Sequence, residues 1–404
     1  MPFSFHLPPL IRLSRFALKW GALASLAGVF AGAASAIFLI ALTWATHLHG
    51  KYPWLLALLP VAGFAVGWLY LKMGPSLEGG NNLLIDEIHD PTQVVPLRMA
   101  PMVLFGTVIS HLFGASVGRE GTAVQMGGSL ADQLTLIFRL KSEDRSLLLM
   151  AGISAGFASV FGTPLAGAVF GLEVLVIGRL RLGGLFPCLI AAVVGHEVGI
   201  LLGIHHTPYP PVLAVPLTIG ALLGVGIAGA LFGLTGRAFA FAVRRLSGAM
   251  RTWITYAPLR PFIGGIVIAA LIGLTGGYHY TGLGIPTIQS ALSHPLAPWD
   301  WLGKLIFTVM SLGSGFKGGE VTPLFYIGAT LGNALAPLLH LPFPLLAALG
   351  FVAVFAGAAN TPLASTLMAM EIFGPELGGY ACLACVMSYL CAGKMGIYHA
   401  QRRP

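Results

Sequence analysis

Thr163-Pro164-Leu165-Ala166, with Glu173 seven residues beyond the alanine, returns as Thr361-Pro362-Leu363-Ala364 with Glu371 at the same distance. The offset is 198 residues, and each copy follows a Gly-Phe pair, Gly156-Phe157 and Gly350-Phe351. Upstream, Gly118-Arg119-Glu120-Gly121-Thr122 matches Gly318-Gly319-Glu320-Val321-Thr322 at an offset of 200, and Gly128 against Gly328 extends that match. Two matches in the same order at nearly one offset mark an internal duplication. The chain reads as two homologous halves, 17–205 and 217–400, joined by a Pro-rich linker at 206–216. Short segments flank them at 1–16 and 401–404.

Composition says where such a chain lives. Of its 404 residues 56% are hydrophobic and only 9% charged, with mean hydropathy +0.85. A soluble domain carries about 25% charged residues, so this chain cannot be solvated on all sides. The run from Ala17 to Ala45 holds one charge, Lys19, and nothing charged follows Arg98 until after Val117. Crossing a bilayer takes about 20 apolar residues. An integral membrane protein follows, and the first run is too long for a cleaved leader, whose apolar core is about 7–15 residues.

The net charge of +8 is distributed like a topology signal rather than a nucleic-acid patch. Arg12 and Arg15 precede the first span; Arg139, Lys141 and Arg145 share a short loop; Arg237, Arg244, Arg245, Arg251 and Arg260 form a stretch with no acid in it. Basic loops stay cytoplasmic, which places both termini and the 237–260 loop inside and the His205–Pro216 connection outside. The four cysteines lie in apolar runs and read as small hydrophobes. No metal or other cofactor is expected: His196-Glu197-Val198-Gly199-Ile200 has isoleucine where a zinc-binding helix needs its second histidine. No nucleophile or metal cluster marks an enzyme.

Repeats whose apolar segments are interrupted by glycine and proline at matching positions point to a transporter or channel. Whether the halves are inverted or parallel depends on the number of crossings in each. Three Gly-rich turns open into helices: Glu78-Gly79-Gly80-Asn81-Asn82, Gly118-Arg119-Glu120-Gly121-Thr122, and Gly315-Phe316-Lys317-Gly318-Gly319-Glu320-Val321-Thr322. A helix start carries free N–H donors and about half a positive charge, so it holds an anion without a cationic side chain. Glu120 follows an apolar run and opens another, which sets it at membrane depth, where acids are costly and usually functional. Its carboxylate can take the place of a transported anion, and protonation releases it. Glu320 is the candidate second acid at the repeat-equivalent position. Glu173 and Glu371 read as buried groups with hydrogen-bond partners. Asn81 and Asn82 offer amide donors to a small anion.

These segments resemble the CLC family of anion channels and anion/proton antiporters. The resemblance rests on GREGT at 118–122, GFASVFGTPLAGAVFGLE at 156–173, GSGFKGGEVTP at 313–323 and a late Tyr398. It implies an all-α membrane protein of two inverted halves, about 18 tilted or broken helical segments, and a homodimer with one pathway per subunit. It also implies Glu120 as the external gate and Tyr398 in the inner one. The anion ligands expected on this basis are Gly80, Asn81, Asn82, Gly121, Val321, Thr322 and Tyr398. Three departures from the chloride-type pattern matter. Gly80-Asn81-Asn82-Leu83-Leu84 lacks the chloride-coordinating serine, Val174 stands where an internal proton glutamate is expected, and Gly319-Glu320-Val321-Thr322-Pro323 brings a carboxylate beside the path. All three are similar to the fluoride-exporting bacterial branch. The expectation is a fluoride/proton antiporter of the bacterial inner membrane. A chloride/proton antiporter and a passive anion channel are the alternatives.

Overall fold

The computed structural model describes residues 9–212 and 216–403. Residues 1–8 of the N-terminal segment, 213–215 of the linker and Pro404 lie outside it. Among the described residues the first half supplies eight α-helices: α1 Pro9–Lys51, α2 Leu59–Met73, α3 Asn81–His89, α4 Met99–Leu112, α5 Glu120–Ile137, α6 Ser142–Phe161, α7 Pro164–Glu173 and α8 Leu185–Leu201. The second half repeats them in order: α9 Ile219–Trp253, α10 Leu259–Thr275, α11 Ile285–Ala291, α12 Asp300–Ser314, α13 Val321–Leu339, α14 Phe343–Ala359, α15 Pro362–Phe373 and α16 Gly378–Ala392. Five short 3-10 turns complete the described secondary structure. The all-α, duplicated architecture expected from the sequence is what forms, with sixteen α-helices among the described residues where the family resemblance implies about 18 helical segments.

Among the described residues, six helical stretches are long and apolar enough to cross a bilayer. Others are not. The ten residues of α7 span about 15 Å at 1.5 Å per residue, half the hydrocarbon thickness. A helix that stops at mid-depth must satisfy its end groups from within the protein, and the duplicated motif supplies the partners. Pro164 and Pro362 open α7 and α15, where a missing N–H costs nothing. The next donors are then capped by the other half. Glu173 accepts Leu363 N–H at 3.0 Å and Ala364 N–H at 2.8 Å, while Glu371 accepts Leu165 N–H at 2.9 Å and Ala166 N–H at 2.8 Å. Each glutamate caps its counterpart's helix, which explains why Thr-Pro-Leu-Ala and the distant acid recur together.

A second reciprocal pair fixes the register of the halves. Gly118 N–H donates to Gly319 O at 2.6 Å and Gly319 N–H to Gly118 O at 2.8 Å, with the two strands of chain antiparallel. A local two-fold therefore passes between Gly118 and Gly319, as inverted halves require. The offset here is 201, and α5 and α13 begin at Glu120 and Val321. This corrects the sequence alignment by one residue. Glu320 corresponds to Arg119, not to Glu120, and Gly328 to Gly127: Gly127 and Gly152 bring α5 and α6 into backbone contact as Gly328 and Gly350 do for α13 and α14.

Two basic stretches also sit differently from expectation. Arg237 to Arg251 belong to α9, a helix of 35 residues, and not to a loop. Arg145 lies in the first turns of α6 and is 5% exposed. Its guanidinium grips Asp132 through Nε and Nη2, both at 2.8 Å, and Glu87 through Nη1 at 2.9 Å. That ion cluster joins α3, α5 and α6, two of which carry the site.

Candidate anion pathway

Glu120 opens α5 with its side chain fully buried. Its Oε2 accepts the Thr322 N–H at 3.0 Å and its Oε1 the Thr322 hydroxyl, at the start of α13. Arg119 N–H adds a bond to Oε2 at 3.2 Å. Thr322 is the second residue of α13, so its N–H is one of the donors that a helix cannot satisfy internally, and the helix dipole reinforces it. The carboxylate occupies a position that suits any small anion. Arg119 Nε stands 3.4 Å from Oε1 without the alignment of a hydrogen bond, so backbone and hydroxyl donors, more than an ion pair, seat the acid.

Two glycines make this crossing possible. A methyl on Gly319 would stand 2.8 Å from Gly121 N, and one on Gly118 would stand 3.0 Å from Glu120 Oε2. Such distances are below van der Waals contact, so only hydrogen fits. The loop ahead of α5 is held from the other half, where Ser311 Oγ accepts Ser116 N–H at 3.0 Å and Thr308 Oγ1 meets Ser116 Oγ at 2.9 Å.

Cavities flank the crossing. One, of about 270 Å³, is lined by Arg119, Glu120, Thr322, His206, Tyr209 and Glu371 among others. The opposite one, of about 300 Å³, gathers Gly80, Asn81, Asn82, Thr122, Glu320 and Tyr398. The structure thus divides the expected residues. Glu120 and Thr322 meet directly, with Gly121 and Val321 in the same helix starts. Gly80, Asn81, Asn82, Glu320 and Tyr398 surround the second cavity.

The two groups touch at Gly121, where an added methyl would stand 3.1 Å from Asn81 Nδ2 and 3.8 Å from Glu320 Oε2. Gly80 turns into α3 at φ +54°, a left-handed value that suits glycine. Asn82 spends its carbonyl oxygen on Ala400 N–H at 3.0 Å, so its NH₂ is the group left to face an anion. Tyr398 is buried, packed edge-on against Phe170. Gln401 anchors that segment by donating to Val174 O at 3.0 Å and Ala359 O at 2.8 Å.

Several lining groups escaped the sequence reading. Thr107 hydroxyl pairs with Thr122 hydroxyl at 2.6 Å beside the second cavity. A buried threonine in an apolar helix gives little signal on its own. Arg251 and Lys317 line the same cavity, Lys317 Nζ lying 4.1 Å over the Tyr70 ring. The acid-free run around Arg251 marked it only as a topology signal. No group of three or more metal-ligating side chains occurs among the described residues.

Broken helices crossing between two half-sites define a multi-pass membrane protein that carries anions. Residues 62–393 match the family described as voltage gated chloride channel, and the chain belongs to that family, the CLC proteins. A chloride/fluoride channel protein of Pseudomonas syringae pv. tomato is 61% identical, over 98% of this chain and 89% of that one. An H(+)/Cl(-) exchange transporter, ClcA, of Vibrio vulnificus is 29% identical over 87% and 81%. Among solved structures, a CLC-type fluoride/proton antiporter superposes with TM-score 0.93 at 36% identity, covering 96% of this chain and 98% of the other. These relatives are described as a channel, an exchange transporter and an antiporter.

Proposed function

We propose that the protein is a fluoride/proton antiporter that expels fluoride as protons enter, with Glu120 as gate and proton carrier. The observation that carries this reading is the Glu120 carboxylate on Thr322 N–H between two cavities. While ionised, the acid fills the anion position. Protonated, it loses its charge and the better part of its hold on the helix end, and fluoride replaces it. The names of the Pseudomonas relative and of the fluoride/proton antiporter structure support the ion and the coupling.

Arg251, Lys317 and Arg244 gather at the Glu320 end, while the 202–212 connection lies at the Glu120 end. By the excess of basic residues on cytoplasmic surfaces, the Glu320 end faces inward and both termini are cytoplasmic, in a bacterial inner membrane. We further place two such chains side by side as a homodimer in lipid, each with its own path. In reconstituted vesicles fluoride efflux should be fast, chloride efflux slow, and a fluoride gradient should drive protons uphill. Fluoride flow without proton movement would leave the passive channel, and equal chloride flow the chloride exchanger.

Fluoride is small and accepts strong hydrogen bonds, so losing its water calls for close donors. Asn81→Ala removes one of them. A neutral hydrogen bond contributes about 0.5–1.5 kcal/mol, so fluoride binding should weaken by about tenfold at most. Competition binding with chloride checks this, and undiminished preference for fluoride would remove Asn81 from the ligand set.

Glu320 stands at the N-cap of α13, yet its side chain accepts no capping bond there. It faces the inward cavity instead. We assign it as the second acid, receiving protons on that side. Glu320→Gln should slow coupled fluoride transport by about tenfold or more, in line with the contribution of a positioned proton-transfer group. An unchanged rate in vesicles would leave it a structural residue.

A further inference from the structure

Proton entry requires a route to Glu120 from the outward side, and the crossing itself offers no titratable group there except Arg119, which never deprotonates. The wall of the outward cavity does. His206 lines the cavity of about 270 Å³ that also holds Glu120. It lines a second hollow as well, of about 340 Å³, together with His205, Thr43 and Arg119. One imidazole therefore stands between the two spaces. Gly162, at φ +75° in the α6–α7 turn, gives the ring its place, since a Cβ there would strike it. On its other side the ring stacks on His196 of α8, with centroids 5.4 Å apart.

Neither nitrogen of His206 has a hydrogen-bond partner of good geometry; the Val160 carbonyl is a weaker neighbour. A structural histidine usually spends at least one nitrogen on a fixed partner. Both nitrogens are unpaired and shut off from water in this conformation; a turn of the ring presents one to either space, which suits a group that accepts a proton on one side and releases one on the other.

We propose that His206 relays protons from the outer hollow to the Glu120 carboxylate. A ring nitrogen takes a proton from hydronium in the hollow, leaving water, and the imidazolium then gives it up across the shared cavity to Glu120. The imidazole returns neutral and Glu120 becomes a carboxylic acid, so charge and proton count balance. The charged or titratable groups around His206 are His196 from α8, Arg119 ahead of α5, and His205 and Tyr209 on its own connection. Glu120 and Glu371 lie across the cavity. Burial, then His196 and Arg119, hold the imidazole down to about 4. It is therefore neutral at ordinary pH and adds no fixed cation that would trap fluoride.

This inference rests on Glu120 being the proton carrier, and the test separates the two. Coupled fluoride efflux is measured from vesicles with equal pH on both sides, for His206→Ala, His206→Gln and Glu120→Gln. Water can also deliver protons, so the loss should fall below the hundredfold of an irreplaceable acid–base group: about tenfold at about pH 7, and little at about pH 5. Added imidazole should restore His206→Ala at the higher pH and leave Glu120→Gln unchanged. Wild-type rates in both histidine variants, an equal deficit at both pH values, or no rescue would overturn the relay and leave Glu120 standing. Intact coupling in Glu120→Gln would overturn both. His206→Gln, which keeps most of the ring's volume, guards against a packing defect in the alanine variant.

Discussion

Glu120→Gln is expected to abolish proton movement coupled to fluoride. Glutamine keeps the shape of the protonated acid and cannot ionise, so the variant lacks the one proton-carrying step at the crossing. It also competes less well for Thr322 N–H and hydroxyl, whose bonds to a carboxylate are charge-assisted and roughly twice as strong as bonds between neutral groups. Fluoride should then bind without displacing a charged rival. The expected result in vesicles is that a fluoride gradient no longer moves protons, and that residual fluoride flow, fast or slow, is passive. Coupled turnover near the wild-type rate would remove Glu120 from both roles.

Arg145→Met is expected to give the largest loss of stability. Arg145, Asp132 and Glu87 are 5%, 0% and 7% exposed, so removing the guanidinium leaves two carboxylates buried with one sign of charge. Asp132 would keep Val95 N–H and the Thr135 hydroxyl, and Glu87 the Thr92 N–H and hydroxyl, which soften the loss without neutralising either acid. Breaking a buried pair this way costs about 3–5 kcal/mol. At about 2 °C per kcal/mol for a large chain, the melting temperature in detergent should fall by about 6–10 °C. Since the cluster joins α3 to α5, fluoride transport should suffer with it. Asp132→Asn combined with Arg145→Met should cost less than the sum of the two single changes, because the double variant leaves one buried acid fewer. An unchanged melting temperature in Arg145→Met would show that the cluster contributes nothing.

Much of the architecture could be read in the chain because the duplication writes each functional element twice. Thr-Pro-Leu-Ala with its distant glutamate predicted buried acids with partners, and the cross-capping of α7 and α15 is what those residues do. The register slipped by one at Glu320 for a physical reason. Matching letters pairs acid with acid, while backbone geometry pairs helix start with helix start. Val321 is the true counterpart of Glu120, so Glu320 belongs to the turn ahead of its helix and lines a different cavity. Charge runs misled for a related reason. Arg145 looked like one member of a basic loop because its two carboxylate partners lie 58 and 13 residues away, beyond any local pattern. His206 was legible only as part of a connection, since its role depends on two cavities that tertiary packing creates.

The central idea is that neutral donors at a helix start hold fluoride and that one acid alternates with it. Calorimetric titration of fluoride into the purified protein, repeated across pH and in buffers of different ionisation enthalpy, tests this most directly. Displacing an ionised Glu120 requires its protonation, so binding should tighten as pH falls and take up close to one proton per fluoride, whereas Glu120→Gln should bind fluoride with no pH dependence. Wild-type binding that is independent of pH and takes up no proton would contradict it.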